Sequence, residues 1–144
     1  MLQWAVGCAP KAQPSAAPVG EANPPAAPLW FDSDACAERL HDLEGAFLLY
    51  DTRTGRLPDA LADLPALPGV DPTTLLNCPV SGQPYVYVPQ GIQLPEKRQR
   101  LIVYDATPAH AGYRWAIRVD EPRPGAALVF RVVAVPESAF LLRR

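Results

Sequence analysis

The side chains in this sequence best suited to nucleophilic, redox or metal chemistry are two histidines, His41 and His110, and three cysteines, Cys8, Cys36 and Cys78. A metal site is visible in sequence when ligands come in pairs such as Cys-x-x-Cys or His-Glu-x-x-His, because one short stretch then delivers two donors to one ion. No such pair occurs, so no metal ligands are assigned, and with no glycine-rich phosphate loop no cofactor is assigned either. A Cys–His nucleophilic pair is formally possible from Cys36 or Cys78 with either histidine, but one sequence does not show proximity, and the pair is not assigned. His41 precedes Asp42 in a helical pattern, where adjacent residues point in different directions, and reads as a solvated surface histidine. No catalytic residue is assigned, and the chain reads as a protein other than an enzyme.

Those residues need elements to position them. From Ser33 to about Arg53 the residues Cys36, Leu40, Leu43, Phe47 and Tyr50 recur at alternating four- and three-residue steps, which predicts one core-facing helical stripe. Ser33 or a flanking aspartate caps its start, Asp34 and Glu38 suit the positive pole, Arg53 suits the negative one, and Gly55 stops it. Short helical turns are expected at Asp59–Leu64 and Asp71–Leu76. Tyr85–Val88, Leu101–Tyr104, Arg114–Val119 and Ala127–Val135 then read as strands, rich in β-branched and aromatic residues between turn signals. In the third, Trp115, Ile117 and Val119 alternate with Arg114, Ala116 and Arg118, which predicts one buried and one wet face. Pro136 opens a short terminal helix ending in Arg143 and Arg144. The expected fold class is α+β: one long N-terminal helix packed on a roughly four-stranded antiparallel sheet, with a short C-terminal helix.

Cys36 opens the helix and Cys78 precedes the first strand in Asn77-Cys78-Pro79. Outside the cytoplasm the two can form a disulfide, worth at most about 4 kcal/mol for a loop of that size; the alternative is two buried reduced thiols. Cys8 is the odd one. Ala5-Val6-Gly7-Cys8 resembles the lipobox of bacterial lipoproteins, although Met1–Gly7 is shorter than a secretory signal and lacks a basic start. Either the true start lies upstream or the match is chance.

The 144 residues suit one domain of ordinary size, and the 49% apolar content can build its core. A net charge of −2 argues against a chain that grips nucleic-acid phosphates, and the cluster Glu96-Lys97-Arg98-Gln99-Arg100 reads as a solvated loop. Residues 9–28 hold six of the 18 prolines and seven alanines without an aromatic residue, Leu, Ile or Met. Such a stretch cannot bury enough apolar surface to offset its ordering entropy, and reads as an extended linker. The expected organisation is residues 1–8 as the lipobox segment, 9–28 as the linker and 29–144 as the globular domain.

From Cys36 onward the chain resembles bacterial prepilin-like (pseudopilin) proteins, the group with a C-terminal His-x9-Asp-Gly signature. His110-Ala111-Gly112 leads through nine intervening residues to Asp120. The other landmarks are Leu49-Tyr50-Asp51, Gly55-Arg56-Leu57-Pro58, Leu76-Asn77-Cys78-Pro79, Tyr85-Val86-Tyr87-Val88-Pro89, Val103-Tyr104-Asp105 and the ending from Val135-Pro136-Glu137 through Phe140-Leu141-Leu142. The resemblance implies a pilin-like head in the cell envelope, non-catalytic, serving as a component or accessory of a secretion or pilus-like apparatus. Its partners would be other envelope or pilin-like proteins, without nucleic acid.

Two departures shape the expectation. The family's glycine after Asp120 is Glu121 here, so a longer loop replaces a two-residue hairpin turn. Where the family carries a continuous hydrophobic helix, this chain has Cys8 and the prolines. It is therefore expected to remain a monomer in isolation, unable to form a filament alone, with membrane attachment only through a lipid on Cys8. His110 is expected to be a structural loop histidine near Gly112 that bonds backbone groups. The alternative function is an extracytoplasmic, lipid-tethered binding lipoprotein using the same fold.

Overall fold

The structure is a computed structural model that describes residues 34–95 and 98–141. Cys8, the 9–28 segment, Glu96, Lys97, Arg143 and Arg144 lie outside the described residues. Helix α1 spans Ala35–Thr54. It starts there because the Asp34 side chain accepts the Cys36 N–H at 2.8 Å, and it stops because Gly55 turns left-handed at φ 68° while its N–H bonds the Asp51 carbonyl. Cys36, Ala37, Leu40, Leu43, Ala46 and Phe47 form its buried face.

Residues 55–85 cross to the sheet through short pieces. A single 3-10 turn covers Leu61–Asp63, and α2, Pro72–Leu75, is capped by Asp71 with proline in its first turn. Four strands follow: β1 (Val86–Gln93), β2 (Gln99–Tyr104), β3 (Tyr113–Asp120) and β4 (Val129–Pro136). They pair antiparallel in chain order, β1-β2-β3-β4. The β3–β4 register is unbroken from Tyr113↔Pro136 to Asp120↔Val129, whereas β1 and β2 slip between Tyr87 and Ile92, where Gly91 packs over the Arg100 side chain. A last turn of helix, α3, covers Ser138–Leu141.

The main core lies between α1 and the sheet. Phe47 is fully buried against Tyr87 and Phe130, with ring centroids 5.6 and 5.9 Å away. Leu40, Leu43, Ile102, Val103, Trp115, Ile117 and Val119 complete it, and each large apolar side chain contributes roughly 1.5–3 kcal/mol by leaving water. The expected wet face of β3 needs correction. Ala116 is fully buried, because Leu101, Val135 and the α3 residue Phe140 form a second apolar cluster on that side. Only Arg114 and Arg118 keep the polar character the alternation predicted, and both end in ion pairs. No helix among the described residues is long and apolar enough to cross a membrane.

Candidate functional site

Four segments meet at the start of α1, each held there by backbone geometry. Cys36 sits in the first turn of the capped helix. Cys78 sits in a loop closed by the Asn77↔Pro84 bridge, with its N–H on the Gln83 carbonyl at 2.9 Å and its carbonyl accepting the Gly82 N–H at 2.8 Å. Arg39 of α1 donates to the Asn77 carbonyl at 3.1 Å and clamps that loop against the helix. Asp105 directly follows β2, and its N–H bonds the Trp115 carbonyl at 2.9 Å. His110 begins a two-residue hairpin turn into β3. Ala111 and Gly112 both take positive φ, 51° and 86°, while the main chains of His110 and Tyr113 exchange hydrogen bonds, which is the type I′ arrangement.

The side chains converge as tightly as the backbones. Cys36, Cys78, Asp105 and His110 are all buried, and one donor atom from each lies within 4.8 Å of all the others. His110 Nε2 is 3.3 Å from Asp105 Oδ2 and 3.9 Å from Cys78 Sγ. On its far side, His110 Nδ1 contacts Asp34 Oδ2 at 2.9 Å. The ring of His110 thus bonds side chains, and only its main chain meets backbone groups, which corrects the backbone-bonding role expected of it. The structure places the Cys36 and Cys78 sulfurs within 4.8 Å and carries both as free thiols.

Burial dominates the electrostatics. It pushes the Cys36 thiol far above its usual range, helped by the hydrogen bond to Cys78. Burial also raises the Asp105 carboxyl, against the opposing pull of the Trp115 N–H, the Cys78 thiol and His110. Asp105 Oδ2 accepts the Trp115 N–H at 2.9 Å, but the equally buried Oδ1 receives no N–H or O–H donor. For Asp34 burial acts upward too, yet the Cys36 N–H, the Trp115 side chain and His110 outweigh it and hold the carboxyl below the usual range.

Two chemistries use such a set. Cys78, His110 and Asp34 stand in the order of a nucleophile, a base and an orienting carboxylate. Cys36 and Cys78 are 0% exposed, however, so no substrate atom reaches either sulfur in this conformation. The other chemistry is coordination, for which two sulfurs, one imidazole nitrogen and one carboxylate oxygen form a complete donor set. No local spacing announces it, since the four donors come from four separate segments. Of this cluster the sequence reading singled out Cys36, Cys78 and His110 separately, and missed Asp34 and Asp105 as partners of the histidine.

The remaining candidates lie elsewhere. Gly112 supplies the turn beside His110. Asp120 ends β3, where it pairs with Arg118 at 2.7 Å and Arg131 at 3.5 Å, and residues 121–128 form the loop to β4. His41 is exposed and pairs with Glu44 at 3.0 Å. An open cleft of about 770 Å³ runs between the end of α1 and the β3–β4 loop, lined in part by Leu48, Arg56, Arg100 and Glu121, away from the buried cluster. Comparison with family models, with curated proteins and with solved structures finds no match to this chain.

Proposed function

We propose that this chain is a non-catalytic cell-envelope protein whose globular domain serves as a pseudopilin-like head in a secretion or pilus-like apparatus, extracytoplasmic and attached to the membrane through a lipid on Cys8. The observation that carries this reading is the use made of His110. It is buried at the start of a tight turn and ties that turn to the cap of α1 through Asp34 and to the end of β2 through Asp105. The second signature position, Asp120, likewise holds two arginines of β3 and β4. A signature that fastens a helix to a sheet supports a scaffold presented to other proteins better than it supports a reaction. The order of elements, one helix followed by an antiparallel meander, agrees with the same reading.

The test is cell fractionation with in-cell crosslinking in the native host. The reading expects the protein in the envelope fraction, crosslinked to pilin-like subunits; recovery in the cytoplasm without such partners overturns it. The cleft beside the end of α1 favours a second reading, a lipid-tethered lipoprotein that binds a small ligand or protein there. Mass spectrometry of the native N-terminus tests the tether common to both, since an acylated Cys8 is expected and an intact Met1 counts against it.

A further inference from the structure

We propose that Cys36, Cys78, Asp105 and His110 are the four ligands of a structural zinc ion. A tetrahedral zinc with ligand bonds of about 2.0–2.3 Å holds its donors about 3.3–3.8 Å apart. Here the His110 Nε2–Asp105 Oδ2 separation is 3.3 Å, the Nε2–Cys78 Sγ separation is 3.9 Å, and no pair among the four exceeds 4.8 Å. The donors therefore need only a small contraction to close on an ion. All four are buried and all four belong to the chain, which leaves no open position for a substrate. That is the closed form of a structural site.

Two further features point to a cation at the centre. The first is the second bond of the histidine. A metal-bound imidazole characteristically gives its other nitrogen to a carboxylate, which fixes the ring and raises its basicity, and Asp34 stands 2.9 Å from Nδ1 in that position. The second is Asp105 Oδ1, fully buried and without an N–H or O–H donor, on a carboxylate already held in place by the Trp115 N–H. A buried carboxylate with one oxygen lacking an N–H or O–H donor, in one cluster with two sulfurs and an imidazole nitrogen, is a donor set that a dication completes. Two thiolates and an imidazole select zinc over calcium or magnesium, which take oxygen ligands. Binding is not a redox step. Zn²⁺ displaces one proton from each thiol to solvent and bonds the two sulfurs, the imidazole nitrogen and the carboxylate oxygen. A Cys36–Cys78 disulfide would consume both sulfurs, so the two states exclude each other.

The experiment uses the full chain, purified without chelator under reducing conditions from cells supplied with zinc. Elemental analysis should find about one zinc per chain, and cobalt(II) substituted for it should give the intense visible bands and sulfur-to-metal charge transfer of a tetrahedral thiolate site. Asp34→Asn keeps a side-chain acceptor for the helix cap but removes the carboxylate from His110. It should lower zinc affinity about 10- to 100-fold without changing the far-ultraviolet circular dichroism. Cys78→Ser should lose a sulfur-to-cobalt band, and if it fails to fold, the cobalt spectrum of the unsubstituted chain still decides. The proposal is overturned if the folded, reduced chain binds neither zinc nor cobalt, if Cys78→Ser binds both with undiminished affinity, or if protein from the native host carries a Cys36–Cys78 disulfide.

Discussion

Asp34 and His110 stand 76 positions apart in the chain and 2.9 Å apart in space, Oδ2 against Nδ1. The same aspartate caps α1 through its other oxygen, at 2.8 Å from the Cys36 nitrogen. One carboxylate thus joins the first turn of the helix to the turn that launches β3, and mechanical continuity between helix and sheet passes through it.

Phe47 is the centre of the helix–sheet interface, fully buried between Tyr87 and Phe130. Phe47→Ala should destabilise the domain by about 3–5 kcal/mol, since it removes both the transferred area and the ring contacts and leaves a cavity. Urea unfolding followed by tryptophan fluorescence measures this, and an unchanged midpoint would mean that α1 packs by another face.

Ala111 adopts φ 51°, a conformation disfavoured for residues with a Cβ, beside Gly112 at 86°. Ala111→Asn creates Asn-Gly, the pair best suited to a type I′ turn. The substitution should raise stability by about 0.5–1 kcal/mol, read as a higher melting temperature. A drop would show that the side chain at 111 meets a neighbour the turn geometry does not reveal.

Arg114 uses its whole guanidinium. Nε and Nη2 donate to the two Glu137 oxygens at 2.6 and 2.8 Å, and Nη1 donates to the carbonyls of Asp105 and Ala106. Lysine keeps the charge but loses the fork, so Arg114→Lys should cost about 1.5–3 kcal/mol. Arg131 is 60% exposed and only 3.5 Å from its partner, so Arg131→Lys should change stability by less than about 0.5 kcal/mol. Equal losses from both substitutions in chemical denaturation would contradict this account.

Tyr87 donates its hydroxyl to the Pro58 carbonyl at 2.6 Å, and burial, with Asp59, Tyr50 and Asp63 nearby, pushes the phenol up from 10.0 to about 12. Only the neutral phenol can make that bond. Below pH 10 both folded and unfolded chains keep the proton, and the contribution is complete; between about 10 and 12 the unfolded chain releases it first, so stability falls across that window. Tyr85, which burial raises still further, adds to the same fall. Tyr87→Phe should cost about 1–2 kcal/mol below the window. Its deficit relative to the parent chain should then narrow as the pH rises through it. A constant deficit across the window would rule out the linkage.

Much of the architecture is legible in the chain because its causes are local. Asp34 and Gly55 bound α1 by capping chemistry, and the four β-rich runs became strands in the order read from sequence. Alternation assigns Ala116 to a wet face because it shows that a strand has two faces and does not show what covers the second one; here Phe140 of α3 does. The buried cluster is legible only in part for a related reason. Cys36, Cys78 and His110 stand out by residue type, but Asp34 looks like any helix cap and Asp105 like any residue after a strand. Their second role exists only once the hairpin at Ala111-Gly112 has swung His110 under the helix start.

The neighbour-to-neighbour order of the strands bears on how the molecule reaches this state. Each strand finds its partner across a short loop, so the three hairpins of the meander close with little entropy to overcome and should form early. The contacts of α1 with β3 and β4 close the longest loops in the domain and belong to the late, slow event. A kinetic asymmetry follows. Weakening a hairpin, as at Gly91, should slow refolding, whereas loosening the helix seam, as at Leu40 or Leu43, should chiefly hasten unfolding. In stopped-flow traces the two classes of variant would separate onto opposite arms of the chevron, and the lifetime of the folded domain would be set by how long α1 stays docked.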